Sequence, residues 1–213
     1  MNISVTTEAG VNTSEAVSLD TFIHYRAAIW LIHYITPTIL ILGTFGNVLT
    51  IVIMRRNATG DSVTNVFFTA LAVSDLISLY GTAFPFWTLY AFDFNFATFS
   101  RASCKLHAWI STGSGTVGAW ILVLLTIHRA TAVVMPHRVN VLCTRRKAWL
   151  AVGVITVFLA AIYSHYIYGF ELQPGRSSGG LVCLYKSAEY LHFVDSVFTY
   201  CWSFALSPIP AWL

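Results

Sequence analysis

Between Arg26 and Arg55 the chain carries no charged side chain. An uncharged apolar run of that length is what a helix needs to cross the hydrocarbon core of a bilayer, about 20 residues at 1.5 Å each. Four more runs follow, over about 63–91, 103–134, 148–170 and 190–213. Strands are disfavoured, because a spanning strand needs only about 10 residues of alternating polarity. Composition agrees: 56% of the 213 residues are hydrophobic and 10% charged, against about 25% charged in soluble domains. The sequence therefore predicts an all-α, multi-pass transmembrane helix bundle over 27–213, preceded by a polar tail over 1–26. The lipid bilayer is its first partner. A net charge of +3 is too small to argue for nucleic acid. No catalytic triad, metal motif or phosphate loop is present, so neither enzyme activity nor a cofactor is expected.

The short loops set the direction. RRNATGD carries Arg55 and Arg56, and PHRVNVLCTRRK carries Arg138, Arg145, Arg146 and Lys147. The two intervening loops mix signs. Basic loops stay on the cytoplasmic side, so the N-terminus is expected outside. The tail lacks the basic start, apolar core and cleavage site of a signal peptide. It holds two glycosylation sequons, at Asn2 and Asn12. A third, at Asn57, falls on the other side of the membrane and reads as chance. Pro37, Pro85 and Pro208 lie inside spans, where neighbouring helices can satisfy the carbonyls they free.

Asp75 is the acid within the first four spans, and a carboxylate in a membrane is a functional hypothesis by default. Asn47 falls at a similar height in the inner half of the first span, so an amide–carboxylate contact is feasible; a polar packing pair is the plainer alternative. Cys104 and Cys183 are both outside, where a disulfide is permitted, although four unrelated thiols remain the alternative reading. His33, His107, His165 and His192 map near the outer face. Paired histidines hold haem in some membrane oxidoreductases, but an inner pair is missing, since His128 stands by itself near the inner layer. The aromatic segment 84–99 reads as an interfacial belt or as a ligand vestibule.

Taken together these motifs resemble those of a rhodopsin-like G-protein-coupled receptor. GNVLT (46–50) resembles the family's first-helix motif and LAVSDL (71–76) its second-helix motif. Ile127-His128-Arg129-Ala130 matches the position of the Asp-Arg-Tyr motif, and Pro136 the proline of the second cytoplasmic loop. The resemblance implies the plasma membrane, five helices of a seven-helix fold, a Cys104–Cys183 disulfide, and a heterotrimeric G protein contacted through His128, Arg129 and Pro136. It implies that Asp75, with Asn47 and Ser114, forms the buried sodium-linked site. Several positions depart from the pattern. His128 replaces the acid that restrains the arginine at rest, which predicts raised basal activity. Ala130 replaces the tyrosine, and Gly118 stands where a serine often completes the sodium site. The middle of the fourth helix lacks its usual tryptophan.

Ser111, seven residues after Cys104, stands where amine receptors of the family carry an aspartate, which disfavours a biogenic amine. The pattern is most similar to invertebrate neuropeptide receptors of the FMRFamide-receptor type, so an extracellular peptide ligand is expected at Trp87, Ser111, Thr112, Gly115 and the loop around Cys183. The sequence stops five residues after Pro208, which resembles the fifth-helix proline. The expectation is a receptor fragment truncated after the fifth helix. The alternatives are a non-signalling decoy or receptor dimer partner, and an unrelated multi-pass transporter or haem membrane protein.

Overall fold

A computed structural model describes residues 13–56, 62–137, 139–175 and 180–199. Helix α1, Thr13–Arg56, starts well before the uncharged run, so its first turns belong to the segment that the sequence assigned to the polar tail. Its membrane-length portion is Arg26–Arg56; α2 (Val63–Phe92), α3 (Arg101–Val134) and α4 (Arg145–Gly169) are likewise long and apolar enough to cross a bilayer. A further helix, α5, starts at Ala188 and continues as a π-helical turn over Phe193–Phe198. The remainder of the predicted fifth span, with Cys201 and Pro208, lies outside the described residues, as do Asn2, Asn12 and Asn57.

The helix ends follow local chemistry. Ser100 caps α3 by accepting from the Ser103 N–H at 3.0 Å, and Thr144 caps α4 through the Lys147 N–H. Such caps satisfy amides that have no partner inside the helix. Pro85 explains the irregularity of α2. An α-helical proline clashes with the carbonyl four residues back. Here the turn before it, Leu79–Ala83, widens to π geometry, with the Phe84 N–H donating to Leu79 O.

The bundle is held by two apolar clusters. Toward the Arg129 end, Val63, Val66, Phe67 and Ala70 of α2 pack with Ile121 and Leu125 of α3 and with Ala148 and Val152 of α4. Toward the other end, Tyr163 and Tyr166 of α4 pack with Val194 of α5, covered by Trp109, Phe170, Tyr185, Tyr190 and Phe198. Gly81 lets α2 approach α3, because a β-carbon there would run into the Ile110 side chain. Outward faces stay apolar: Ile41 and Leu42 of α1 are 70% and 65% exposed, Leu150 and Val157 of α4 67% and 69%. In water that surface would drive association; in a bilayer it is the lipid face.

The all-α expectation holds for the membrane part and misses one feature. The loop after α4 is an antiparallel hairpin of β1 (Phe170–Pro174) and β2 (Leu181–Tyr185), with Leu172 opposite Cys183.

Candidate functional site

The polar residues singled out on three separate spans meet in one place. An open cleft of about 460 Å³ is lined by Gly43 and Asn47 of α1, Asp75 and Ser78 of α2, and Ser111, Ser114 and Gly115 of α3. Asn47 and Asp75 share its wall, yet no hydrogen bond joins them among the described residues. The Ser74 hydroxyl donates to the Ser114 carbonyl at 3.3 Å, tying α2 to α3 beneath the cleft. Ser114 is 9% exposed, and its Oγ is buried without a hydrogen-bond partner among the described residues. A carboxylate, an amide oxygen and an unused hydroxyl around one cleft form the hard-oxygen set that a small cation takes. Gly118 belongs to the same neighbourhood: a β-carbon on it would lie 3.7 Å from Asp75 Oδ1.

Two of the residues assigned to a ligand pocket do not line this cleft. Thr112 donates its hydroxyl to Ala108 O at 2.7 Å, a bond within its own helix, and does not line the cleft. Trp87 Nε1 donates to the His33 carbonyl of α1 at 3.4 Å. That carbonyl would ordinarily accept from residue 37, which is a proline without an N–H. Trp87 thus takes the partner that Pro37 leaves free. Ser111 lines the cleft while donating to Ala108 O at 3.3 Å.

Cys104 and Cys183 are joined as a disulfide, Cα to Cα 5.6 Å. It fixes the hairpin over the end of α3 opposite Arg129. Around it gathers an aromatic group that the sequence analysis did not assemble. The Phe170 and Tyr185 rings lie 4.6 Å apart, Tyr185 and Tyr190 6.0 Å, and Lys186 Nζ sits 4.4 Å above the Tyr168 ring. Burial, and then the Asp195 carboxylate, raise the Tyr185 phenol above its usual pKa, so it stays a neutral donor. The alternation in FELQP and the turn-forming PG and GG were the legible signals of this hairpin.

At the other end of α3, neighbouring side chains part company. His128 is buried, 7% exposed, with its ring 6.0 Å from Phe67 of α2. Arg129 is exposed, as is Pro136 in the turn that follows α3. A one-turn helix, Val139–Leu142, leads to α4 and is latched by Lys147 Nζ donating to Val141 O at 2.9 Å.

Residues 46–213 match the family described as 7 transmembrane receptor (rhodopsin family). Among curated relatives, the human motilin receptor is 28% identical over 139 residues, 64% of this chain and 33% of the relative. The FMRFamide peptide receptor frpr-18 of Caenorhabditis elegans is 32% identical over 140 residues, 63% and 32% of the two chains. The D(2) dopamine receptor A of Xenopus laevis is 25% identical over 200 residues, 93% and 43%. The matched stretch therefore spans about a third of the length of the first two relatives and less than half of the third.

Proposed function

The chain belongs to the rhodopsin family of seven-transmembrane receptors, and from that premise we propose that it carries the ligand-facing helices of a peptide receptor that signals through a heterotrimeric G protein at the plasma membrane. One observation carries the reading: Asn47, Asp75, Ser111, Ser114 and Gly115, from three spans, line a single cleft. With the N-terminus outside, as the basic loops favour, the disulfide-pinned hairpin faces the extracellular medium and Arg129 the cytoplasm. Asp75, Asn47 and Ser114 would hold a sodium ion, whose charge would offset the carboxylate. Ser111 offers a hydroxyl where an ammonium ligand would need a carboxylate, which favours peptides over amines. Two relatives, frpr-18 and neuropeptide receptor 22, both of Caenorhabditis elegans, carry peptide names.

Arg129 and Pro136, both exposed, are the G-protein contacts. Signalling rests on segments that this stretch does not match in its relatives. A second reading is that the chain pairs with another receptor and holds it silent. Co-expression with a G-protein activation sensor separates the two. Amidated Phe-Met-Arg-Phe-type peptides should evoke a dose-dependent response that dopamine does not. A chain that evokes none, but suppresses a co-expressed longer receptor, is a pairing partner.

A further inference from the structure

One imidazole at the hairpin end of α4 is held at one nitrogen and left bare at the other. Around Ser164 the helix tightens. The Ser164 N–H donates to Ala161 O at 3.2 Å and the Ile167 N–H to Ser164 O at 3.0 Å, each three residues back rather than four. His165 Nδ1 lies 2.8 Å from Ile162 O. A carbonyl oxygen only accepts, so Nδ1 carries a hydrogen, and in the neutral ring Nε2 is then a bare acceptor. Nε2 is buried and has no hydrogen-bond partner among the described residues. A buried lone pair without a donor loses its water and gains nothing in return.

The surroundings suit the other charge state. The His165 ring centre is 4.4 Å from that of Tyr166, 4.5 Å from Phe198, 5.9 Å from Phe193 and 6.0 Å from Tyr190. Aromatic faces carry negative potential and attract a cation within about 6 Å of the ring centre. A proton on Nε2 removes the orphan lone pair and puts a positive charge among these rings. The ionisable groups on the elements packed around it are Glu189, Tyr190, His192 and Asp195 of α5, Glu171, Tyr185 and Lys186 of the hairpin, and Lys105 and His107 at the Cys104 end of α3. Asp195 is close enough to act on the phenols of Tyr166 and Tyr185, and Tyr166 borders the imidazole. Lys186 is engaged over the Tyr168 ring at 4.4 Å, and His192 meets Ser196 Oγ at 3.5 Å.

We propose that His165 is a proton-binding site, and that its imidazolium, closed in by Tyr166, Tyr190, Phe193 and Phe198, fastens the hairpin end of α4 to α5. Tyr190, Phe193 and Phe198 all belong to α5, so the proton strengthens a contact between two helices and not only a local ring pair. Histidine is the side chain that ordinarily changes charge between about pH 5 and 8, so the ligand is the proton of a mildly acidic medium. The sign follows from linkage: a fold that holds the proton more tightly than the unfolded chain becomes more stable as pH falls. The chemistry is independent of which ligand the chain binds and of which way it crosses the membrane.

The test uses the 213-residue chain in nanodiscs, with thermal stability read at pH 7.5 and 5.5. Two variants serve as the reference: His165→Phe, which keeps a ring in the cluster, and His165→Gln, which keeps a donor for Ile162 O. Relative to either, wild type should gain about 3 °C on going from pH 7.5 to 5.5, the shift that one cation–π contribution gives in a chain of this length. Phe198→Leu, which leaves His165 in place, should shrink that gain. Solid-state NMR of the chain with 15N-labelled histidine gives the proton directly, the His165 signals being those lost in His165→Phe. They should pass from the Nδ1–H neutral ring to the imidazolium. An equal pH response in wild type and both His165 variants would overturn the proposal and move the titration to another histidine, such as His107 or His192. A His165 ring that stays neutral at pH 5.5, or a wild type that loses stability in acid relative to both variants, would overturn it as well.

Discussion

Trp87 Nε1 donates to the carbonyl oxygen of His33 across the α1–α2 interface at 3.4 Å, at the position where Pro37 withholds its own amide. Proline and tryptophan, 50 residues apart (87 − 37), answer one another. In the membrane the freed carbonyl has no water to turn to. Trp87→Phe should therefore cost about 1 kcal/mol. In a Pro37→Ala background, where residue 37 again supplies an N–H, the same change should cost almost nothing. Thermal stability in detergent across the four variants measures the coupling; additive losses would show that the indole acts only by packing.

Gly118 fixes the second prediction. A β-carbon there would meet Ser74 Oγ at 3.5 Å, Asp75 Oδ1 at 3.7 Å and a Leu71 methyl at 3.7 Å, all ordinary contacts. Gly118→Ser should fit without displacement and bring a hydroxyl toward the carboxylate. Sodium affinity is expected to rise about fivefold, one hydrogen-bond-sized contribution of about 1 kcal/mol. The readout is the difference in thermal stability between sodium and potassium chloride. Asp75→Asn should erase that difference, and a difference that survives in Asp75→Asn places the ion elsewhere.

Tyr190 lies flat against Gly169, its ring filling the place of a β-carbon. From there its hydroxyl donates to His165 O at 3.2 Å. Gly169→Ala must push the ring away from both contacts, at a cost of about 1–3 kcal/mol by overpacking. Combining it with Tyr190→Ala should give less than the sum of the single losses. A silent Gly169→Ala would mean that Tyr190 is placed some other way.

His128 is buried against Phe67 of α2 while Arg129, the next residue, is exposed. In a receptor carrying every helix, His128→Asp would place a carboxylate against Phe67. Relief lies in turning toward Arg129, an ion pair worth up to about 1 kcal/mol at an exposed site. Ligand-free signalling should fall about fivefold, and folded yield should fall with it because part of the carboxylate stays buried. Equal basal signalling from wild type and His128→Asp sinks the idea.

What the sequence by itself determined is the part that side-chain partitioning controls. The four membrane-length helices follow from long apolar runs with few charges. Asn47 and Asp75 were conspicuous because polar groups are rare at that depth, whereas Ser114 was named by the family resemblance. Tertiary structure decided what each of them faces. Whether Ser111 or Thr112 lines the cleft is a matter of 100° of helix rotation, set by packing against neighbours and unreadable in one dimension. Nothing local joins Trp87 to Pro37; only the approach of two helices does. The hairpin after α4 was missed because its short alternation is weak beside the long apolar runs around it.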